Sequence, residues 1–299
     1  MSVEEQVYEL SRLEVRRHFN KAAAHYEKAN HLQQLVLERL LDRLELIKMK
    51  PGRVLDLGSG PGHAASKLAR RYKQSRVLEV DISADMLLHS ASQASRFFNK
   101  RQRLCADVEQ LALSDNSIDL VFSNLMLQWS KDLDRAFFEV SRVLTNNGLF
   151  IFSTFGPDTL LELRKSWQSV DDKVHVNAFV DMHDVGDALI RAGFENPVME
   201  VENITVRYDT VMQIMKDLKT LGANNANSGR RRSLTGKKRL STMMDEYEKL
   251  REEGKLPVTY EVVYGHAWLP EHARSRRLDD NTVAFPLAGL KAKRAGRPQ

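Results

Sequence analysis

This chain of 299 residues lacks the marks of secreted and membrane proteins. Its single cysteine, Cys105, excludes a disulfide within the chain, which favours a reducing cytoplasm. No apolar run approaches the roughly 18 residues of a membrane span, and residues 1–6 (MSVEEQ) are too polar and acidic for a signal peptide. We therefore expect a cytoplasmic protein, and we interpret Cys105 as a buried strand residue and not as a nucleophile.

Metal-ligand spacing is also lacking. The histidines considered as ligands, His25, His175, His183 and His266, are too scattered along the sequence to form a metal motif. We expect no iron, no zinc and no other metal.

A strong excess of one charge sign is missing from most of the chain. The formal net charge is +5, but residues 229–256 hold nine Lys or Arg against five Asp or Glu, and residues 271–299 hold seven against three. This late concentration of basic charge indicates a localised acidic partner more than general binding to nucleic acid. The densest patch consists of Arg230, Arg231, Arg232, Lys237, Lys238 and Arg239. A solvated loop is the alternative explanation for it.

What the sequence does contain is a glycine-rich turn at 54–62 (VLDLGSGPG), between a short apolar run and a helix-like segment. Glycine lets the backbone approach a ligand, and the helix start beyond it offers free N–H donors. The dinucleotide pattern Gly-x-Gly-x-x-Gly is broken, because His63 stands in place of the third glycine, and Asp56 would repel a phosphate. A cationic ligand without phosphates fits better, and S-adenosylmethionine, with its ammonium and sulfonium groups, is the candidate.

Three further strand ends carry polar residues in the order that such a site needs. Asp81 lies roughly 20 residues after the glycines, where an acid accepts both ribose hydroxyls. Asp107 can accept from the adenine amine, and the turn with Asn124 and Gln128 would border the reaction space. Each feature alone has an ordinary alternative, a strand-to-helix corner or an N-cap, but the ordered set favours a cofactor site. The candidate cofactor-binding residues are Asp56, Gly58, Ser59, Gly60, Gly62, Asp81, Ile82, Met86, Asp107, Val108, Asn124 and Gln128.

After residue 50 the pattern alternates between strands and helices, which predicts a mostly parallel sheet covered on both faces. The predicted strands are 53–57, 77–81, 102–106, 118–123 and 148–154, with helices near 63–72, 84–95, 132–144 and 181–192. Asp158 or Thr159 is expected to cap a helix that continues to Trp167. Two late strands, 198–207 and 258–268, flank a polar helical insertion at 209–256 and should form an antiparallel edge. We divide the chain into an N-terminal helical cap (1–50), a main domain with the insertion (51–270) and a basic tail, expected to be mobile (271–299).

The strand order and the strand-end residues resemble those of class I S-adenosylmethionine-dependent methyltransferases. Five further segments resemble the BioC-type malonyl-[acyl-carrier protein] O-methyltransferases of biotin synthesis: 17–26 (RHFNKAAAHY), 124–129 (NLMLQW), 155–164 (FGPDTLLELR), 221–224 (LGAN) and 260–268 (YEVVYGHAW). The resemblance implies a Rossmann-like α/β fold whose seven-stranded, mostly parallel sheet has an antiparallel edge strand. A mitochondrial complex I assembly factor that hydroxylates an arginine shares several segments, but no arginine-rich targeting stretch precedes residue 12 here.

In the family that the chain resembles, the free carboxylate of malonyl receives the methyl group while malonyl is held on acyl carrier protein. The resemblance therefore implies S-adenosylmethionine as cofactor, an acidic carrier protein as partner, and no membrane or nucleic-acid partner. An ionised carboxylate needs no general base, so no catalytic residue is assigned with certainty. Tyr26 and Arg164 are candidates to position the carboxylate, Trp129 would border the substrate, and the patch from Arg230 to Arg239 would dock the carrier protein. The alternatives are methylation of another small molecule, or an assembly factor acting on a protein arginine.

Overall fold

The computed structural model describes residues 10–94, 101–223, 225–227, 236–271, 276–279 and 282–284, the last two ranges as backbone only. Within these ranges, none of the helices combines the length and the apolar character needed to cross a bilayer.

Seven strands form one sheet in the order β3-β2-β1-β4-β5-β7-β6. The strands are β1 (Arg53–Leu57), β2 (Arg76–Asp81), β3 (Arg101–Cys105), β4 (Ile118–Asn124), β5 (Leu144–Phe155), β6 (Glu195–Tyr208) and β7 (Leu256–Trp268). Strands β1 to β5 pair in parallel, whereas β7 runs antiparallel to both of its neighbours. The predicted mostly parallel sheet with an antiparallel edge is confirmed. β6 is the outermost strand at that edge, and β7 lies between β5 and β6.

The helices are α1 (Arg12–Ala22), α2 (His31–Glu45), α3 (His63–Arg71), α4 (Ala84–Gln93), α5 (Leu133–Val143), α6 (Leu161–Gln168), α7 (Met182–Arg191), α8 (Val211–Thr220) and α9 (Lys237–Glu248). The predicted N-terminal helical region is thus two helices with a 3₁₀ turn, Tyr26–Lys28, between them. Helix α2 buries Val36, Leu40 and Leu44, four residues apart, on one face of the sheet. This packing fixes the N-terminal segment against the strands whose ends form the site described below.

The insertion contains α8 and α9, and α9 packs against α6. Beyond it, β8 (Arg276–Asp279) and β9 (Thr282–Ala284) pair antiparallel in a separate two-stranded sheet. The rest of the tail from residue 272 lies outside the described residues, so the division of the chain into three parts stays a prediction.

Two local predictions are wrong. Helix α6 begins after Leu160, which has φ 59° and makes no side-chain cap, so neither Asp158 nor Thr159 caps it. The Thr159 hydroxyl instead exchanges hydrogen bonds with the backbone of Glu261 on β7. Cys105 is exposed and not buried, because it ends β3, the outermost strand of the sheet.

Candidate active site

A cavity of about 90 Å³ lies where the carboxyl ends of β1, β2 and β4 meet under α1; we call it the strand-end cavity. Parallel strands end at the same edge of a sheet, which is why ligands of open α/β sheets bind there. Eight of the predicted cofactor residues line it: Gly58, Gly60, Asp81, Ile82, Met86, Asp107, Val108 and Asn124. Tyr26, a candidate to position the carboxylate, and Trp129, expected to border the substrate, line it too.

The glycine turn has a backbone that other residues would strain. Gly58 and Gly60 have φ of 74° and 52°, in the left-handed region. A Cβ at Gly58 would overlap the side chain of Met126, so the turn and that side chain approach each other more closely than any other residue allows. The amides of Gly58 and Ser59 both donate to the Val80 carbonyl, at 2.8 and 3.0 Å, which pins the turn to the end of β2.

Asp81 is held in place by two backbone donors. Its Oδ2 accepts from the Gly60 amide and its Oδ1 from the Ser83 amide, each at 2.8 Å. Burial raises the pKa of the Asp81 carboxyl to about 6, although both hydrogen bonds act in the opposite direction. The carboxylate is therefore ionised at neutral pH, with its position fixed before any ligand arrives.

Arg12, at the start of helix α1, forms ion pairs with two acids on the other side of the cavity. It was not among the site residues predicted from the sequence. Its Nε lies 3.4 Å from Asp107 Oδ2, and its guanidinium also contacts the buried carboxylate of Glu109. Glu109 in turn accepts from the amides of Lys131 and Asp132. The only signal in the sequence was the position of Arg12 at the start of an amphipathic helix, which does not indicate what it faces.

Aromatic side chains from the N-terminal segment cover the remaining opening. Phe19 on α1 packs edge to face against Trp129, with ring centroids 5.2 Å apart. Burial, with smaller contributions from the charges of Asp81 and Glu27, raises the pKa of the Tyr26 hydroxyl further above its ordinary value of 10.0. Tyr26 therefore stays neutral across the physiological range and can act as a hydrogen-bond donor in the cavity.

Four predicted cofactor residues lie outside the cavity lining: Asp56, Ser59, Gly62 and Gln128. Asp56 is 1% exposed, and its Oδ2 accepts from the Ala65 amide at 2.7 Å, in the first turn of α3. Burial, then the charge of Glu79, holds the pKa of this carboxyl well above its usual range. The expectation that Asp56 faces the ligand is therefore wrong; it supports the helix that follows the glycine turn.

Gln128 and Gly62 support the walls of the strand-end cavity without lining it. The Gln128 amide donates to the Leu125 carbonyl and accepts from the Thr154 hydroxyl, so its side chain closes the turn after β4. Gly62 has φ 85°, and a Cβ there would overlap Ser90 on α4.

Next to the strand-end cavity lies a larger one of about 430 Å³, which we call the inner cavity. Trp129 lines both. The walls of the inner cavity come mainly from α2, α6, β6, α8 and β7. They are mostly apolar and include six aromatic side chains: Trp129, Phe155, Trp167, Phe179, Tyr208 and Tyr260. The sequence did not predict this cavity, because its walls are far apart along the chain.

Arg164 does not line either of these two cavities. It lines a third cavity of about 420 Å³, the outer cavity, which also includes Lys173, Asp171 and Asp172. Its guanidinium donates to the carbonyls of Pro157 and Thr159, at 2.9 and 3.2 Å. Arg164 therefore braces the turn before α6 instead of reaching the cofactor side.

Half of the predicted docking patch is described. Lys237, Lys238 and Arg239 form the first turn of α9, and Arg239 Nη1 lies 3.4 Å from Asp171 Oδ2 at the outer cavity. Arg230, Arg231 and Arg232 lie outside the described residues. Across the described ranges, no group of three or more His, Cys, Asp or Glu side chains is placed to hold a metal ion.

Residues 55–152 match the sequence family described as a methyltransferase domain. The malonyl-[acyl-carrier protein] O-methyltransferase of Methylovorus sp. is 49% identical, over 88% of this chain and 91% of that protein. The protein of the same name from Laribacter hongkongensis is 48% identical, over 89% and 92%. Among solved structures, the YcgJ protein of Bacillus subtilis has a TM-score of 0.57 at 15% identity, covering 78% of this chain and 98% of that one, which shows the shared fold. The chain belongs to the malonyl-[acyl-carrier protein] O-methyltransferase family.

Proposed function

We propose that this protein transfers a methyl group from S-adenosylmethionine to the free carboxylate of malonyl carried on acyl carrier protein. The product is the malonyl methyl ester that primes pimeloyl synthesis for biotin. The observation that carries the proposal is the shared wall at Trp129, which places an apolar acceptor space beside a cavity built for a cationic nucleoside. The names of relatives at 48–49% identity supply the acceptor.

The residues of the strand-end cavity fit S-adenosylmethionine. Its lining carries three acids, Asp81, Asp107 and Glu109, against one cation, Arg12. Asp81 would hold the ribose hydroxyls and Asp107 the adenine amine, with the glycine turn against the amino-acid part. When bound, S-adenosylmethionine supplies an activated methyl group on a sulfonium.

The small volume of the strand-end cavity limits how the cofactor can bind. Small-molecule sites usually span roughly 300–1,000 Å³, whereas the strand-end cavity measures about 90 Å³. Binding would therefore require lining side chains to move, and Arg12, paired with Asp107 and Glu109 on this lining, is one candidate.

Methylation of a carboxylate requires no acid or base from the protein. A carboxylate of ordinary pKa is ionised at neutral pH and needs no base to attack a methyl group. The chain contributes position and exclusion of water: Tyr26 offers a neutral donor, and the aromatic walls around Trp129 keep the acceptor space apolar. A neutral donor orients a carboxylate while leaving its charge available for the attack.

The basic patch supports an acidic partner. A helix N-terminus carries partial positive charge and favours acidic side chains, yet the first turn of α9 has Lys237, Lys238 and Arg239 and no acid. Asp171 offsets Arg239, but the concentration of like charge is otherwise unfavourable within the fold, so we assign it to an external anionic surface, that of the carrier protein. Aromatic residues are not interleaved with this patch, as binding of single-stranded nucleic acid would require.

The test is a methyl-transfer assay with isotopically labelled S-adenosylmethionine and three acceptors: malonyl-carrier protein, malonyl-CoA and a small phenol. We expect a base-labile methyl ester on the malonyl thioesters and none on the phenol. If the protein binds the cofactor but methylates no malonyl thioester, the proposal is wrong, and action on a protein partner becomes the better explanation.

A further inference from the structure

The three cavities adjoin one another between the surface and the strand ends, because neighbouring cavities share wall residues. Trp129 is common to the strand-end and inner cavities. The inner and outer cavities share five wall residues: Trp167, His175, Val176, Asn177 and Phe179. At the far end, Asp172, Lys173 and Ala178 of the outer cavity are exposed.

The inner cavity is far larger than a malonyl group requires. Its volume of about 430 Å³ would hold the malonyl carboxylate near Trp129 and leave most of the space to something else. The walls combine apolar rings with the side-chain amides of Gln33, Asn177 and Asn225. The last two already take part in hydrogen bonds within the fold, with the Val174 carbonyl, the Ala226 amide and the Asn227 side chain. The Gln33 Oε1 atom is buried and has no hydrogen-bond partner among the described residues, so a ligand with an N–H donor would satisfy it.

We propose that the inner and outer cavities together hold the pantetheine arm that joins malonyl to its carrier, an inference that rests on the proposed function. Pantetheine is long and narrow, carries apolar methyl and methylene groups, and has two amides whose N–H groups can donate. These properties match a large, mostly apolar space whose lining includes the unpartnered, buried Gln33 Oε1. The thioester end lies at Trp129, and the phosphate end leaves through the outer cavity.

Two of the wall residues that the inner and outer cavities share are held in a fixed arrangement beside the proposed path. The Trp167 and His175 rings stack with centroids 3.9 Å apart and planes 5° from parallel, and a His175 nitrogen lies 2.7 Å from Asp171 Oδ1. Flat, rigid walls of this kind guide a flexible chain at low entropic cost.

The charge around the outer cavity sets which end faces the carrier. Its lining balances Arg164 and Lys173 against Asp171 and Asp172, which suits the neutral middle of the arm. Arg239, paired with Asp171, connects this opening to the basic first turn of α9. The acidic carrier protein would therefore bind outside the cavity from which its arm enters.

The test uses a substitution that narrows the outer cavity and lies away from the reacting groups. Ala178 is exposed and lines only the outer cavity, so Ala178→Trp fills the path near the surface. Val180→Trp is the matched control, because Val180 is exposed on the same segment and is absent from the linings of the three cavities. The substrates are malonyl-carrier protein, malonyl-CoA and malonyl-N-acetylcysteamine, whose short thioester lacks the outer part of the arm.

We expect Ala178→Trp to raise KM about tenfold for the two full-length arms and less than about twofold for the short thioester. The control should leave all three KM values unchanged, and both variants should keep the cofactor affinity and melting temperature of the parent. Equal losses on all three substrates, or no loss on any, would overturn the proposal. Methylation of glutaryl and adipyl N-acetylcysteamine thioesters as fast as malonyl would also overturn it, because the surplus space would then belong to a longer acyl chain.

Failure of the proposed function gives a different result. If the parent protein methylates no malonyl thioester, the reaction is wrong, but the path is still tested by calorimetry with CoA. Weaker binding of CoA to Ala178→Trp than to Val180→Trp would support the path, and equal binding would overturn it.

Discussion

Three carboxyl groups near the glycine turn, those of Asp56, Glu79 and Asp81, are largely buried but make different contacts. Asp56 accepts from the Ala65 amide and never reaches the cavity. Glu79, fully buried, lies against Arg101 and accepts from the Ser90 hydroxyl. Only Asp81 lines the cavity. The sequence pattern identified two of these acids but could not distinguish the ligand-facing one, because that depends on which side of β1 and β2 each carboxyl lies.

The raised pKa of Asp81 predicts how cofactor affinity depends on pH. A carboxyl with a pKa of about 6 is ionised at pH 7.5 and mostly protonated at pH 5. Because the ionised form accepts the ribose hydroxyls, we expect the Kd for S-adenosylmethionine to rise about tenfold as pH falls from 7.5 to 5. Titration calorimetry at fixed ionic strength measures this directly.

Asp81→Asn is the control for that titration. It should bind more weakly at pH 7.5 and lose the added weakening at low pH, since the variant has no group that titrates there. A parent protein whose Kd stays constant between pH 5 and 7.5 would contradict the assignment of Asp81 to the ribose.

Tyr26 lines the strand-end cavity and not the inner one, so its hydroxyl can meet the acceptor only where the two cavities adjoin at Trp129. We expect it to act there on the acceptor and not on the cofactor. Tyr26→Phe removes one neutral donor to a charged carboxylate, a loss of about 1.5 kcal/mol and hence roughly a tenfold fall in kcat/KM for malonyl-CoA. The Kd for S-adenosylmethionine should change less than about twofold. Tyr72→Phe is a suitable control, because the buried Tyr72 hydroxyl has no hydrogen-bond partner among the described residues. A parallel loss of cofactor affinity in Tyr26→Phe would move the hydroxyl to the cofactor.

At the level of the elements, local patterns predicted most of the sheet. The five parallel strands lie within one or two residues of their predicted limits at most ends, because most of them are short apolar runs bounded by turn residues. The outermost parallel strand, β3 (RQRLC), is the polar exception. In its limits, β5 is the exception, since it begins at Leu144, before the predicted Asn-Asn-Gly turn. The glycine turn was also recognisable from local sequence, because its positive φ values favour glycine.

Interactions between distant segments were beyond the sequence pattern. Arg12 meets Asp107 across 95 positions of chain, and Thr159 bonds Glu261 across 102. The prediction of a cap at Asp158 or Thr159 was wrong for this reason, since β7 takes the hydroxyl that a local rule assigned to α6. The inner cavity was missed likewise, because the packing of β6, β7 and the insertion creates it.

The connection between the glycine turn and α4 gives a stability prediction. Gly62 and Gly193 have similar φ of 85° and 91°, but a Cβ at Gly62 would overlap Ser90 and lie 2.8 Å from Glu79 Oε2, whereas Gly193 faces open space. Gly193→Ala should cost roughly 1–2 kcal/mol of unfolding free energy from backbone strain alone. Gly62→Ala should cost roughly 1–3 kcal/mol more because the packed side chains must move. Urea denaturation measures both, and equal losses would mean that the clearance above Gly62 is unimportant.

Over the whole molecule, the basic charge and the cavities lie on a common route. The first turn of α9 adjoins the outer cavity through Arg239 and Asp171. The inner cavity shares wall residues with the outer one and shares Trp129 with the strand-end cavity. A carrier protein bound at α9 would thus face the opening that its arm must enter. Small substrates need only the cavities, whereas the carrier needs the charged surface as well.

This difference predicts a selective effect of charge reversal. Replacing both Lys237 and Lys238 by Glu should raise the KM for malonyl-carrier protein about tenfold at low salt and leave that for malonyl-CoA nearly unchanged, since long-range attraction acts on the acidic protein. The gap between variant and parent should shrink toward about twofold at 0.5 M salt, where charges are screened beyond a few ångströms. Replacing the exposed Lys216 and Lys219 of α8 by Glu changes the net charge equally and is the control, with no expected preference between the two substrates. Steady-state kinetics at both salt concentrations decide the matter: if the two double variants impair the carrier substrate equally, net charge and not the α9 surface governs the encounter.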